Sequence, residues 1–470
     1  MGITIVQKSD LKKKKTRSKK ALILAGGAVT GGSFKAGGIK ALNDYLTDFT
    51  VNDFDLYVGI SSGSLLAAPL ASGIKPEEIL KSFDGTSKRF TELSPWHYYW
   101  PNLKEIVYRP ISFWYRHLAK LPRVALAFFS SAPTAMLHFG KLMQALVSNP
   151  SASNYEALMS TVSSVVSDIS LPSILQLLPS GVFDNSPIEQ YLRKNIKLNH
   201  LTNSFQVAKK LTGKDLYISA MAVDGAKRVV FGHDESNDAT ISQAVQASTA
   251  MPGFYKPARI NGVDYVDGGV QDTANIDIAI RKGAKLIICY NPFRPYDNKV
   301  LLEYIRKENK YVSKDRRLSD DGVMAILNQI FRAMFHNRLH VAIEQYRANP
   351  SFKGDIILIE PKADDAAFFG LNPLVFGNRI KAAALGYRSV RNSIDEKFPE
   401  VARILKSYGM TISRKEVERE INGMKEAGDS SAFLRAIMED SVIHNSVVKK
   451  STKPKKKQSR TKQKRARANA

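Results

Sequence analysis

Cysteine is almost missing from this chain: there is one in 470 residues, Cys289, inside the apolar run 285–290. A single thiol excludes both an internal disulfide framework and a cysteine-ligated metal centre, and a buried strand residue fits its surroundings. Such usage suits a reducing compartment, so a cytoplasmic location is expected. No uninterrupted apolar run reaches the roughly 20 residues needed to cross a bilayer. The apolar segment after the basic start is too short for a secretory leader. Val6 stands where a myristoylation signal at Gly2 wants Ser or Thr. Tryptophan is scarce too, and its three copies, Trp96, Trp100 and Trp114, fall in one segment.

Acidic residues are outnumbered, 44 against 69 Lys and Arg, for a net charge of +25. The excess sits at the ends. Residues 1–20 carry eight Lys and Arg against Asp10, and residues 449–470 carry eleven and no acid, so the ends hold +18 of the +25. Like charges repel and offer little apolar surface, so a disordered basic arm over 1–20 and a disordered basic tail over 447–470 are expected. Both suit peripheral contact with anionic membrane; nucleic acid phosphates are the other anionic partner such tails fit.

Between the ends, strands alternate with helices. Apolar runs at 21–25, 56–58, 215–223, 228–231, 263–267, 285–290 and 355–359 read as strands. Helical patterns follow at 39–46, 75–84, 187–192, 241–250, 320–346 and 379–394. Alternation of this kind predicts an α/β protein with a layered, mainly parallel sheet. Residues 85–180 differ: they hold all three tryptophans beside His97, Tyr98, Tyr99, Tyr108, Phe113 and Tyr115, and read as a helical insertion, a lid or a lipid-facing segment. The expected organisation is a catalytic domain over 21–400 containing that insertion, then C-terminal helices over 401–446.

Chemistry concentrates in three glycine turns. Gly59-Ile60-Ser61-Ser62-Gly63 follows a strand and precedes small apolar residues of helical character. This is the pattern of a nucleophile elbow, in which a strand reversing into a helix presents a serine hydroxyl and the flanking glycines make room for the crossing backbone. About 30 residues earlier, Gly26-Gly27-Ala28-Val29-Thr30-Gly31 joins a strand to a helix, so its N–H groups suit either a phosphate or an oxyanion; the elbow favours the oxyanion. A third turn, Asp267-Gly268-Gly269, ends a strand on a carboxylate. A serine nucleophile needs a base, and Asp267 is the acidic candidate that the pattern offers.

Together and in this order, the three stretches resemble the patatin-like phospholipases. Ala247-Ser248-Thr249-Ala250-Met251-Pro252-Gly253-Phe254-Tyr255 and Phe183-Asp184-Asn185-Ser186-Pro187-Ile188 also look like that family, with a weaker echo at Ala384-Leu385-Gly386-Tyr387. The resemblance implies a three-layer α/β/α sandwich and hydrolysis of lipid acyl esters by a Ser-Asp dyad without histidine. Ser61 would be the nucleophile and Asp267 the base. Amides of Gly26, Gly27, Ala28, Val29, Thr30 and Gly31 would hold the oxyanion. No cofactor and no metal is implied. The chain departs from the family at Ala28, where a glycine is usual, and at Thr30, often basic. Asp272 and Asn275 replace the usual Asn and Pro after the dyad turn.

Two other readings remain. An α/β-hydrolase esterase would use a histidine after the acid, from His336, His340 or His444. A non-catalytic protein binding anionic surfaces or nucleic acid would rely on its tails. His336, His340 and Glu344, at four-residue spacing, also carry metal-ligand chemistry, but an ordinary helix face is the reading adopted for them.

Overall fold

The structure, a computed structural model, describes residues 2–129, 133–165, 174–305, 310–313, 315–415 and 417–418. Thirteen strands fall among the described residues: β1 (Ile3–Gln7), β2 (Lys20–Leu24), β3 (Leu56–Ile60), β4 (Gly181–Phe183), β5 (Asp215–Ala222), β6 (Lys227–Phe231) and β7 (Gly253–Tyr255). After them come β8 (Ala258–Ile260), β9 (Val263–Asp267), β10 (Leu286–Tyr290), β11 (Leu302–Ile305), β12 (Lys310–Ser313) and β13 (Asp355–Ile359). Nine form one sheet in the order β1-β13-β10-β2-β3-β5-β9-β8, with β6 also paired to β5. Its middle, β13-β10-β2-β3-β5, is parallel. Antiparallel strands lie to either side.

Side-chain alternation along the strands builds two cores. Leu22, Leu24 and Tyr57 face the helices Ala28–Tyr45, Ser64–Ala71, Ile241–Thr249 and Arg379–Glu396. Their neighbours Ala21, Ile23 and Val58 face Ile276–Arg281 and Val323–Ala348. A strand buried on both faces needs apolar residues at every position, which is why the parallel strands read as continuous runs. Each Leu or Ile so covered contributes about 1.5–3 kcal/mol. The three-layer sandwich with its mainly parallel sheet is therefore as expected.

Helices Ala28–Tyr45 and Arg379–Glu396 cross in backbone contact. A Cβ on Gly386 would lie 1.8 Å from the Phe34 carbonyl oxygen. This close crossing gives the distant Ala384-Leu385-Gly386-Tyr387 stretch a physical role in the fold.

The N-terminal expectation is overturned. Residues 3–7 are not a disordered arm but strand β1, antiparallel to β13 with Ile3 opposite Ile359, and Ile3 and Val6 are buried. Beyond it, the Lys8 and Ser9 amides donate to the Asp355 carboxylate at 3.0 Å each. Counting charge over 1–20 hid this, because the cations begin only at Lys8 and the β-branched, apolar segment before them has ample propensity for an edge strand. The tail at 447–470 and most of the expected C-terminal helices, 419–446, lie outside the described residues. Phe398–Ser407 is the helix described at the start of that segment.

Residues 85–180 hold the helices Leu103–Phe129, Pro133–Ser148 and Ala152–Val165. Within this segment Tyr98 and Phe113 are buried, whereas Trp96 is 65% exposed, Trp114 61% and Tyr115 73%. No helix among the described residues is long and apolar enough to cross a membrane.

Candidate active site

The site arises where two strands meet end to end. β5 is paired on one edge with β6 along residues 218–222. Its other edge is shared. β3 covers residues 215–219, with Ile60 opposite Ser219. β9 then arrives from the opposite direction, with Asp267 opposite Ala220. The last residues of β3 and β9 thus face consecutive positions of one strand, and the turns that follow them, one carrying Ser61 and the other leaving Asp267, are brought together. Two positions 206 apart in sequence become neighbours through pairing register alone.

Ser61 sits at φ +53°, in the left-handed region that a non-glycine residue enters at a cost of about 1–2 kcal/mol. The elbow glycines permit the bend. A Cβ on Gly59 would lie 2.5 Å from Ser64 Cα, and one on Gly63 2.0 Å from the Leu24 carbonyl oxygen. The Ser61 amide donates to Ser248 Oγ at 2.8 Å, and Ser248 Oγ donates to the Ser219 carbonyl at 2.7 Å. Ser219 is the β5 residue facing the end of β3, so Ser248 pins the strained turn to the junction of the two strands. The sequence offered Ser248 only as part of a resembling stretch.

The glycine loop lies against Ser61: a Cβ on Gly26 would be 3.3 Å from Ser61 Cβ. Its amides are not equivalent. Val29 and Thr30 N–H both donate to the Pro373 carbonyl at 3.1 Å, and Gly31 N–H donates to the Gly27 carbonyl at 2.9 Å. Among the described residues, the Gly26, Gly27 and Ala28 N–H groups meet no acceptor. The expected six-residue oxyanion loop therefore narrows, because half of its amides are already occupied by carbonyls. Ala28 has φ +53°, which explains why glycine is usual there; its side chain is held in strained backbone.

The anchor missing at Thr30 comes from one turn further on. Lys35, fully buried, donates from Nζ to the Ala25 carbonyl, to the Gly26 carbonyl at 2.9 Å and to Ser62 Oγ at 3.1 Å. Burial lowers its pKa to about 7, against the pull of Asp267 and Cys289, which favours the charged form. No motif in the sequence marked Lys35.

Asp267 is buried, and loss of solvent raises its pKa to about 6. Hydrogen bonding from Ser61 and from the Gly269 amide, and the nearby Lys35 charge, hold the rise in check. The Gly269 N–H donates to Oδ1 at 2.8 Å, fixing the carboxylate, and Gly268 passes so close to Ser219 that a Cβ would lie 2.4 Å from its carbonyl oxygen. An aspartate tuned to about 6 can take a proton near neutrality, where an ordinary one could not. Ser61 opens into an apolar cleft of about 390 Å³ including its open mouth, bordered by Leu65, Ile188, Met251 and Phe254. A neighbouring cleft of about 640 Å³, measured in the same way, shares Ala28, Ser62 and Tyr98 with it. Such walls suit an acyl chain.

The other candidates fall elsewhere. His336 and His340 hydrogen-bond Glu360, not the serine, and His444 lies outside the described residues. Glu344 does not join the two histidines but pairs with Arg347 at 3.3 Å. Asp272 and Asn275 serve one another: the Ala274 and Asn275 amides donate to Asp272 Oδ1, and Asn275 has φ +52°, which proline cannot adopt.

Comparison with known proteins identifies a family. A family model described as patatin-like phospholipase matches residues 22–280, more than half of the chain and including Ser61 and Asp267. The chain belongs to the patatin-like phospholipase family. A probable lipid hydrolase of Invertebrate iridescent virus 6 is 29% identical over 103 residues, 22% of this chain and 36% of that protein. The uncharacterized protein YjjU of Escherichia coli is 25% identical over 178 residues, 38% of this chain and 44% of that one. The chain thus spans less than half the length of these curated relatives. Among solved structures it is similar to VipD from Legionella pneumophila, 15% identical with a TM-score of 0.33, over 81% of this chain and 67% of that one. It is also similar to the type III effector protein ExoU, 12% identical with a TM-score of 0.30, over 92% and 63%. The family match ends before the helix Val323–Ala348 and does not reach Pro373.

Proposed function

We propose that this patatin-like protein is a serine hydrolase that cleaves carboxylic ester bonds of phospholipids, lysophospholipids or related acyl lipids. The observation that carries the reading is the abutment of β3 and β9 on one edge of β5, with Ser61 and the pKa-raised Asp267 at the seam beside an apolar cleft. Asp267 takes the Ser61 proton as Oγ attacks the ester carbonyl. The acyl group is transferred to Ser61 and the alcohol leaves with that proton. Water, deprotonated by Asp267, then attacks the acyl-enzyme and releases the fatty acid. The Gly26, Gly27 and Ala28 amides are the donors open to the oxyanion, in a loop whose Gly26 lies against Ser61 and whose carbonyls at Ala25 and Gly26 are held by Lys35. Val29 and Thr30 would join only if the Pro373 carbonyl withdrew.

The exposed aromatics of the insertion support peripheral contact with a lipid surface near the cleft. A fluorophosphonate probe should label the wild type covalently and leave Ser61→Ala unlabelled. Mass spectrometry of a mixed lipid extract should then show Ser61-dependent release of fatty acid. Equal labelling of both proteins would reject Ser61, and labelling without lipid turnover would reject the substrate class. Blue-shifted tryptophan emission on adding anionic vesicles checks the surface contact.

A further inference from the structure

Outside the Ser61–Asp267 seam, one group of side chains combines borderline-soft ligands, burial and convergence. His336 and His340 lie one turn apart on Val323–Ala348, with ring centroids 4.0 Å apart. Glu360, the residue after β13, reaches between them: Oε1 is 3.1 Å from His336 Nδ1 and Oε2 is 3.0 Å from His340 Nε2. One ligand atom from each of the three residues can be chosen so that all lie within 4.8 Å of one another.

The surroundings are built for a ligand set. Glu360 is only 3% exposed, and Asn291, the residue after β10, donates from Nδ2 to Oε1 at 2.9 Å, fixing the carboxylate from behind. The imidazoles stay partly open to solvent, with side chains 17% and 30% exposed, so an ion can enter and retain water. Two imidazoles and one carboxylate suit Zn²⁺ and its first-row neighbours, whereas Ca²⁺ and Mg²⁺ prefer all-oxygen sites.

We propose that His336, His340 and Glu360 bind a divalent first-row transition ion, Zn²⁺ in the first instance, at a site separate from the serine and aspartate. The ion displaces any proton from the two facing nitrogens, and water completes its coordination. Its position gives it leverage on the hydrolytic site without touching substrate. Between the two histidines, Arg338 Nη1 donates to the Val270 carbonyl at 2.7 Å, just beyond the Asp267-Gly268-Gly269 turn. The Phe335 carbonyl accepts from Thr273 Oγ1 at 3.0 Å. Tying this helix to the end of β13 thereby fixes the segment behind the base.

The test uses the untagged full-length chain, stripped with a chelator and titrated with Zn²⁺ by calorimetry and with Co²⁺ by visible absorption. One ion per chain is expected, with d–d bands for Co²⁺ and a raised unfolding midpoint in saturating Zn²⁺. His336→Gln and His340→Gln, whose partly exposed side chains make them the milder changes, should each weaken binding at least about 100-fold with circular dichroism unchanged; Glu360→Gln should do the same if it folds. Absence of saturable binding by the wild type at micromolar Zn²⁺ overturns the site. So does binding of one ion with equal affinity by wild type and both histidine variants. Because the readouts are binding and stability, the outcome does not depend on whether the protein hydrolyses lipid.

Discussion

Two carboxylates lie at strand ends in this molecule, both almost closed off from water, and they have been pushed in opposite directions. Asp267, ending β9, is raised to about 6; Glu360, just after β13, is held at about 2. Burial works the same way on both, so it cannot account for the difference. Partners decide. Asp267 meets a neutral hydroxyl, one amide and a Lys35 ammonium that is itself weakened by burial, whereas Glu360 meets two imidazoles. The first arrangement leaves a group able to exchange a proton near neutral pH; the second leaves a fixed anion suited to holding cations.

The largest effect should come from removing the first carboxylate. Asp267→Asn keeps an acceptor for the Gly269 amide yet cannot accept a proton, so ester turnover should drop about 10²–10⁴-fold with the fold retained. Steady-state kinetics with a short-chain ester checks this, and near-normal rates would remove Asp267 as the base. In the wild type, kcat/KM should fall about tenfold per pH unit below about 6, as the base becomes protonated. Lys35→Met removes the pull that keeps Asp267 from rising further, so the midpoint of that profile should move to higher pH. The same change leaves the Ala25 and Gly26 carbonyls without their donor, and chemical denaturation should register a loss of about 1–3 kcal/mol.

Stability offers a finer contrast. A carboxyl raised on folding stabilises below its unfolded value, and that contribution is lost as pH rises through about 6. Asp267→Asn should therefore be about 3 kcal/mol more stable than wild type at pH 8, with the gap closing towards pH 4. Denaturant midpoints at several pH values would reveal a pH-independent gap if this account were wrong. The smallest effect belongs to Ala28→Gly, which relieves a left-handed alanine and should raise stability by about 1 kcal/mol, read as a shift in the denaturant midpoint.

The same contrast explains what could be read from the chain beforehand. Ser61 and Asp267 were legible because each lies on a turn whose glycines are adjacent in sequence, and because a strand period precedes each turn. Lys35 was not, since two of its three acceptors are backbone carbonyls that carry no residue signature. Glu360 was missed for another reason: helical spacing points from His336 and His340 to Glu344, while the actual partner arrives from the next strand. Occupation of the Val29 and Thr30 amides by Pro373 lies beyond any local pattern. Strand β1 was legible in its β-branched residues but was masked when they were averaged with the lysines that follow.

That strand has a consequence during biosynthesis. Its partner, β13, is translated more than 340 residues later, so at roughly 5–20 residues per second Ile3 and Val6 wait for tens of seconds before their neighbours leave the ribosome. The nascent chain must carry an unmatched greasy edge through that interval. The lysines from Lys8 onward, as charged flanking residues, are placed to discourage it from pairing with another chain.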